Sequence, residues 1–89
     1  MISRTTKKFW KLYKALPVNL KQQSKETYLK FKQDPYYPSL CFKQIHSTKP
    51  IFSVRISLDY RALGLLKKNE IIWFWIGTHE EYNKLTKVK

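Results

Sequence analysis

The sequence predicts an α+β fold: an N-terminal antiparallel helical hairpin packed on one face of a three- to four-stranded antiparallel sheet, with a short C-terminal tail or helical turn. Three observations carry that expectation. The apolar period changes from 3.6 residues to 2 beyond Pro38. Prolines at 17, 35 and 38 stand where helices start and stop rather than inside them. The run over residues 71–76 is apolar on both faces, as a central strand should be.

Over residues 6–16, Phe9, Leu12, Tyr13 and Leu16 recur at helical spacing, and Lys7, Lys11 and Lys14 share the opposite face. Pro17 ends that helix and can occupy the first turn of the next, where its missing N–H costs nothing. The second helix is expected over 18–33, with Leu20, Thr27, Tyr28 and Phe31 inward and Lys21, Lys25 and Lys32 outward. Asp34-Pro35 and Tyr37-Pro38 stop it, because the residue before a proline is pushed toward extended backbone. Strands are expected over 40–46, 51–58, 60–66 and 71–76. The second has the clearest alternation: Phe52, Val54, Ile56 and Leu58 on one face, Ser53, Arg55 and Ser57 on the other. Lys67-Lys68-Asn69-Glu70 reads as a turn, Gly77 as a break, and residues 78–85 as a polar tail or helical turn.

Eighty-nine residues hold one small core, so the chain is expected to form a single domain over 1–89. With 43% hydrophobic and 16% aromatic residues, it is too apolar for a disordered basic tail. Eighteen Lys and Arg against six acids give a net charge of +12, which points to a polyanionic partner. The excess is concentrated in the helical half, where ten Lys and one Arg up to residue 49 face only two acids. A single cysteine, Cys41, excludes an internal disulfide framework and suits a reducing compartment. No apolar run is long enough to span a bilayer and no apolar segment follows the first basic residues. The expectation is therefore a cytoplasmic protein with no membrane partner.

Several chemistries fall away. The only glycines, Gly64 and Gly77, form no phosphate loop, and His46, His79 and Cys41 have no recognisable zinc spacing. No cofactor and no metal are expected. What remains is Lys43, His46, Arg55, Arg61, His79 and Tyr82, spread over the strands and the tail. RNA can be cut without metal when its own 2′-OH attacks the adjacent phosphate. That needs a base, an acid for the departing 5′-oxygen, and cations for the extra negative charge. A His or Tyr with two or three Lys/Arg on a sheet face meets those demands.

Three stretches in this order resemble the RelE/ParE toxin superfamily of bacterial type II toxin–antitoxin modules. The first is Leu16-Pro17 between two helices, with Pro35-Tyr36-Tyr37-Pro38-Ser39-Leu40 after the second. The second is Phe52-Ser53-Val54-Arg55-Ile56-Ser57-Leu58-Asp59-Tyr60-Arg61, similar to the family's "YRIRV…DYR". The third is Ile76-Gly77-Thr78-His79-Glu80-Glu81-Tyr82, similar to its terminal "GHR..vY". The family's usual first strand is shortened to little more than residues 1–5, and the terminal motif lacks its arginine. The resemblance implies a RelE-like fold and either of two activities. RelE-, YoeB-, HigB- and YafQ-like members are ribosome-dependent mRNA endoribonucleases (mRNA interferases) that inhibit translation; ParE-like members inhibit DNA gyrase without nuclease activity.

Carried over residue by residue, the resemblance makes His79, Arg55, Tyr82 and Arg61 the catalytic candidates. Lys43 falls on a strand that bears active-site lysines in RelE. Lys7, Lys11, Lys14, Lys21 and Lys25 are candidates for RNA binding. Each has a plainer alternative. His79 could be a solvated loop histidine, Tyr82 could pack its ring on the sheet, and the helical lysines could serve solvation alone. Arg61 is as well explained by a turn brace with Asp59 as by phosphate contact. His46 is expected to be structural or exposed, and Trp73 and Trp75, alternating, to be core residues on one face. The resemblance favours the mRNA interferase over the gyrase inhibitor or an inactive basic nucleic-acid-binding relative. It implies a cognate acidic antitoxin as partner, in a toxin–antitoxin hetero-oligomer, besides ribosome and mRNA. An acidic, partly disordered segment would be drawn to this surface and could fold on it.

Overall fold

The computed structural model describes residues 1–87. The elements run β1 (Ile2–Thr5), α1 (Lys7–Lys14), α2 (Val18–Gln33), a 3-10 turn (Pro38–Leu40), β2 (Lys43–Gln44), β3 (Ile51–Ser57), β4 (Tyr60–Lys67), β5 (Glu70–Thr78) and α3 (His79–Lys87). Helices precede a mostly antiparallel sheet, as expected for the α+β class. The sheet order is β1-β5-β4-β3-β2.

The sheet has five strands rather than three or four. The added strand is β1, which pairs parallel to β5 from Ile2 opposite Glu70 to Thr5 opposite Trp73. Four residues are too few to show a period of two, so its own sequence does not announce a strand. The expected strand over 40–46 is mostly not extended. Leu40 is fully buried in the 3-10 turn, Cys41 adopts a left-handed φ of 47°, and only Lys43 and Gln44 pair with β3. That left-handed residue swings the chain out of the turn and shortens the edge strand.

The two helices depart from a closed hairpin. Thr6 caps α1 through its hydroxyl, which accepts from the Phe9 N–H at 3.1 Å, and Pro17 precedes α2. Helix α1 rests on β5 and α2 on β3, so they lie over different strands. Between them runs a groove of about 960 Å³. Its cause is legible along α2. The inward positions are Leu20, Ser24, Thr27 and Phe31, and only the two ends are large apolar residues. Ser24 turns its hydroxyl back to the Leu20 carbonyl at 2.7 Å. Tyr28, expected inward, is instead half exposed along the groove.

The core lies between the helices and the sheet, around Phe31, Leu40, Val54, Ala62, Ile71, Trp73 and Ile76. Phe31 meets Trp73 and Phe42 edge to face at ring separations of 5.3 and 5.1 Å. A register shift between β4 and β5 separates the two strand tryptophans. Gly64 pairs with Trp73 and Leu63 with Trp75, leaving Phe74 as the extra residue of a bulge. Trp73 therefore faces the helices, while Trp75 joins Ser53 and Leu63 on the opposite face. Both tryptophans are core residues, but they occupy two faces rather than one.

Candidate functional site

The expected site residues gather at one end of the sheet, where the β3–β4 hairpin meets the start of α3. Arg55 on β3 stands directly opposite Arg61 on β4, and Arg61 opposite Gly77 on β5. Side chains paired across strands share a face, so this row lies on the side away from α1 and α2. Two like charges directly opposite are unfavourable, and here they part company. Arg61 folds onto the hairpin turn, where its Nη1 donates to the carbonyls of Ser57 at 2.7 Å, Tyr60 at 3.0 Å and Leu58 at 3.4 Å. The turn brace is thus made with main-chain oxygens, and the Asp59 carboxylate takes no part in it. The Arg55 side chain makes no ion pair or hydrogen bond with any described residue, and is half-buried.

Helix α3 delivers the other two candidates. Thr78 and Glu81 form a reciprocal capping box. The Thr78 hydroxyl accepts from the Glu81 N–H at 3.1 Å, while Glu81 Oε1 accepts from the Thr78 N–H at 3.2 Å and its hydroxyl at 3.1 Å. The His79 N–H donates to the Asp59 carbonyl, fastening the helix start to the same turn that Arg61 braces. The His79 ring stacks on Tyr82 at 5.8 Å, with 27° between the planes. His79 Nδ1 is buried without a hydrogen-bond partner among the described residues. Leaving such a nitrogen unpaired costs about 1–3 kcal/mol.

Gly77 is what allows this approach. A Cβ there would lie 2.6 Å from Trp75 Cζ2 and 3.0 Å from Glu81 Oε1. Of the two expectations for residues 78–85, a polar tail or a helical turn, the helical one holds, and the helix runs on to Lys87; the Thr78-x-x-Glu81 spacing is the signal that marks its start. Removing the cap by Thr78→Ala is expected to cost about 0.5–2 kcal/mol and to fray α3. Thermal melting, with far-ultraviolet circular dichroism for helix content, checks this.

The remaining candidates divide between the two sides. Lys43 pairs with Ser53, and so lies at the sheet edge on the Arg55 face, one row further along. The middle of that face is not open, since Ser53, Leu63 and Trp75 are buried there. Lys7, Lys11 and Lys14 lie on α1, and Lys21 and Lys25 border the interhelical groove. These five are on the opposite side of the sheet from Arg55. His46 is structural: its Nδ1 accepts from the N–H groups of Thr48 and Lys49, closing the turn before β3. Among the described residues no group of His, Cys, Asp and Glu could hold a metal ion, and no helix is long and apolar enough to cross a membrane.

The fold is that of the RelE/ParE superfamily. Solved structures with this architecture include a chain of the RelB–RelE antitoxin–toxin complex from Methanococcus jannaschii. Its TM-score is 0.74 at 16% identity, covering 92% of this chain and 96% of that one. The YoeB/ParE toxin from Agrobacterium tumefaciens is similar with a TM-score of 0.70 at 13% identity, covering 89% of this chain and 99% of that one. YafQ from E. coli gives 0.65 at 15% identity, covering 90% and 94%. No curated protein sequence matches. A family model for the ParE-like toxin domain matches residues 18–84, and the chain belongs to that family.

Proposed function

We propose that this toxin cuts messenger RNA on the ribosome, using the RNA's own 2′-OH as nucleophile and no metal. The observation that carries the proposal is Arg55, a half-buried cation whose side chain has no partner among the described residues, at the same sheet end as the His79–Tyr82 stack. A phosphate drawn to Arg55 would gain charge as the 2′-oxygen bonds to phosphorus, and the guanidinium would stabilise it there. The 2′-OH proton passes to His79, whose Nε2 is the ring nitrogen left to act. The P–O5′ bond then breaks, and the departing 5′-oxygen takes a proton from the Tyr82 hydroxyl. Arg61 positions the turn that holds His79.

The interhelical groove supports an antitoxin as partner. Its floor is apolar, with Val54, Ala62 and Ile76, and Lys21 and Lys25 lie at its rim. An amphipathic segment with acidic flanks would bury its apolar side there and pair its charges with the lysines. Structures of the similar RelE and YafQ proteins include RelB–RelE and DinJ–YafQ complexes.

Two observations favour a gyrase-directed reading instead: the matching family is ParE-like, and Arg61 is engaged with carbonyls, leaving one strand arginine rather than two without a side-chain partner among the described residues. Primer extension on mRNA from translating ribosomes separates the readings. Cleavage by wild type supports the nuclease. No cleavage, together with inhibition of gyrase supercoiling, supports the alternative.

A further inference from the structure

On the far side of the sheet from Arg55, the outer face of α1 carries a feature that the proposed chemistry does not use. Lys7, Trp10, Lys11 and Lys14 succeed one another at helical spacing and line a single open concavity with Ala15. Trp10 is 45% exposed in spite of its size. Nor is it loose. Its indole N–H donates to the Thr5 hydroxyl at 2.7 Å, and Phe9 and Tyr13 meet it edge to face, each at 5.3 Å. An exposed indole held by its edges loses little freedom when a flat ring stacks on it.

The charges around it are unusual for a short helix. The first turn of α1 contains no acid and begins with Lys7 and Lys8, at the end where the helix dipole is positive. Two cations there oppose the helix they belong to, and neither forms an ion pair: the only one among the described residues joins Arg4 to Glu70. That misplaced charge becomes favourable once an anion sits against the helix.

We propose that Trp10, with Lys7, Lys11 and Lys14, is a docking site for single-stranded RNA, in which a base stacks on the indole and flanking phosphates pair with the lysines. The chemistry is that of sequence-tolerant single-strand sites, which combine aromatic platforms with basic grooves. Trp10 also borders the interhelical groove. An acidic peptide without apolar side chains, such as polyglutamate, would satisfy the lysines but leave the indole unused, and that difference makes the proposal testable. The site is independent of the cleavage reaction, since Arg55 faces the other way.

The test titrates a fluorescein-labelled, fully 2′-O-methylated 12-mer by anisotropy at several KCl concentrations. That probe has no free 2′-OH and stays intact whether or not the protein is a nuclease, so failure here and failure of the proposed reaction are distinguishable. Trp10→Ala is expected to weaken binding by about 5- to 100-fold at every salt concentration, without changing the salt slope. Lys7→Ala/Lys11→Ala/Lys14→Ala should instead flatten the slope by about two. Trp10→Leu keeps apolar bulk on the helix and guards against simple misfolding; it should lose binding as Trp10→Ala does. Retained affinity in both Trp10 variants, or competition by polyglutamate equal to that by RNA, would overturn the proposal.

Discussion

Arg55→Ala is expected to lower the rate of the proposed mRNA cleavage by about 10²- to 10³-fold. That is the usual cost of removing one group aimed at charge that develops in the transition state. The same variant should fold and melt like wild type, because Arg55 gives up no ion pair or hydrogen bond to a described residue. Arg61→Ala should behave in the opposite way. Its Nη1 satisfies three carbonyls of the hairpin turn, so its loss should lower stability first and affect cleavage only through the displaced turn. Single-turnover cleavage on stalled ribosomes, paired with thermal melting of each variant, separates the two arginines. Equal loss of stability in both would contradict the division of roles.

The largest effect on stability is expected from Phe31→Ala, at about 3–5 kcal/mol. Phe31 is 2% exposed and links three parts of the fold: α2 that carries it, Trp73 on β5, and Phe42 beside the edge strand. It is also one of only two buried residues on α2, since Ser24 and Thr27 fill the middle of that helix's inner side. Without it α2 would be held at its first turn by Leu20 alone. Domains of this size have total stabilities of about 5–15 kcal/mol, so the loss is a large share of the whole. Each kcal/mol moves the melting midpoint by about 4–8 °C at this length, and the variant should melt at least about 12 °C lower. A midpoint within a few degrees of wild type would show that the groove collapses to fill the space.

Much of this fold is legible in the sequence because it rests on local rules. Prolines delimit α2, and strict alternation marks β3. What is not legible depends on partners remote in the chain. β1 is a strand because the edge of β5 accepts it, and its four residues are too few for a period to show; only the family resemblance places a shortened strand there. The two faces of Trp73 and Trp75 depend on one extra residue, Phe74, in the pairing of β4 with β5. Alternation along β5 alone places them together, and the bulge parts them. The site shows the same contrast. Motif order points to His79, Tyr82, Arg55 and Arg61, and the structure brings them to one end of the sheet. That Arg61 turns to carbonyls and leaves Arg55 free is a matter of hairpin geometry, which no spacing reveals. The lysines split across the two faces for a similar reason, because net charge does not record which side of a sheet it occupies. Trp10 reads in the sequence as one more aromatic; its position among Lys7, Lys11 and Lys14 at helical spacing is the available signal.

The central claim concerns the reaction itself, and the ends of the cut RNA report on it most directly. Ribosome-bound mRNA exposed to the purified toxin should be cleaved to leave a 5′-hydroxyl and a 2′,3′-cyclic phosphate or its 3′-phosphate product. Those ends require the 2′-oxygen, and not a water molecule, to have attacked phosphorus. Cleavage leaving a 5′-phosphate and a 3′-hydroxyl, or intact mRNA alongside inhibited gyrase, would contradict the account.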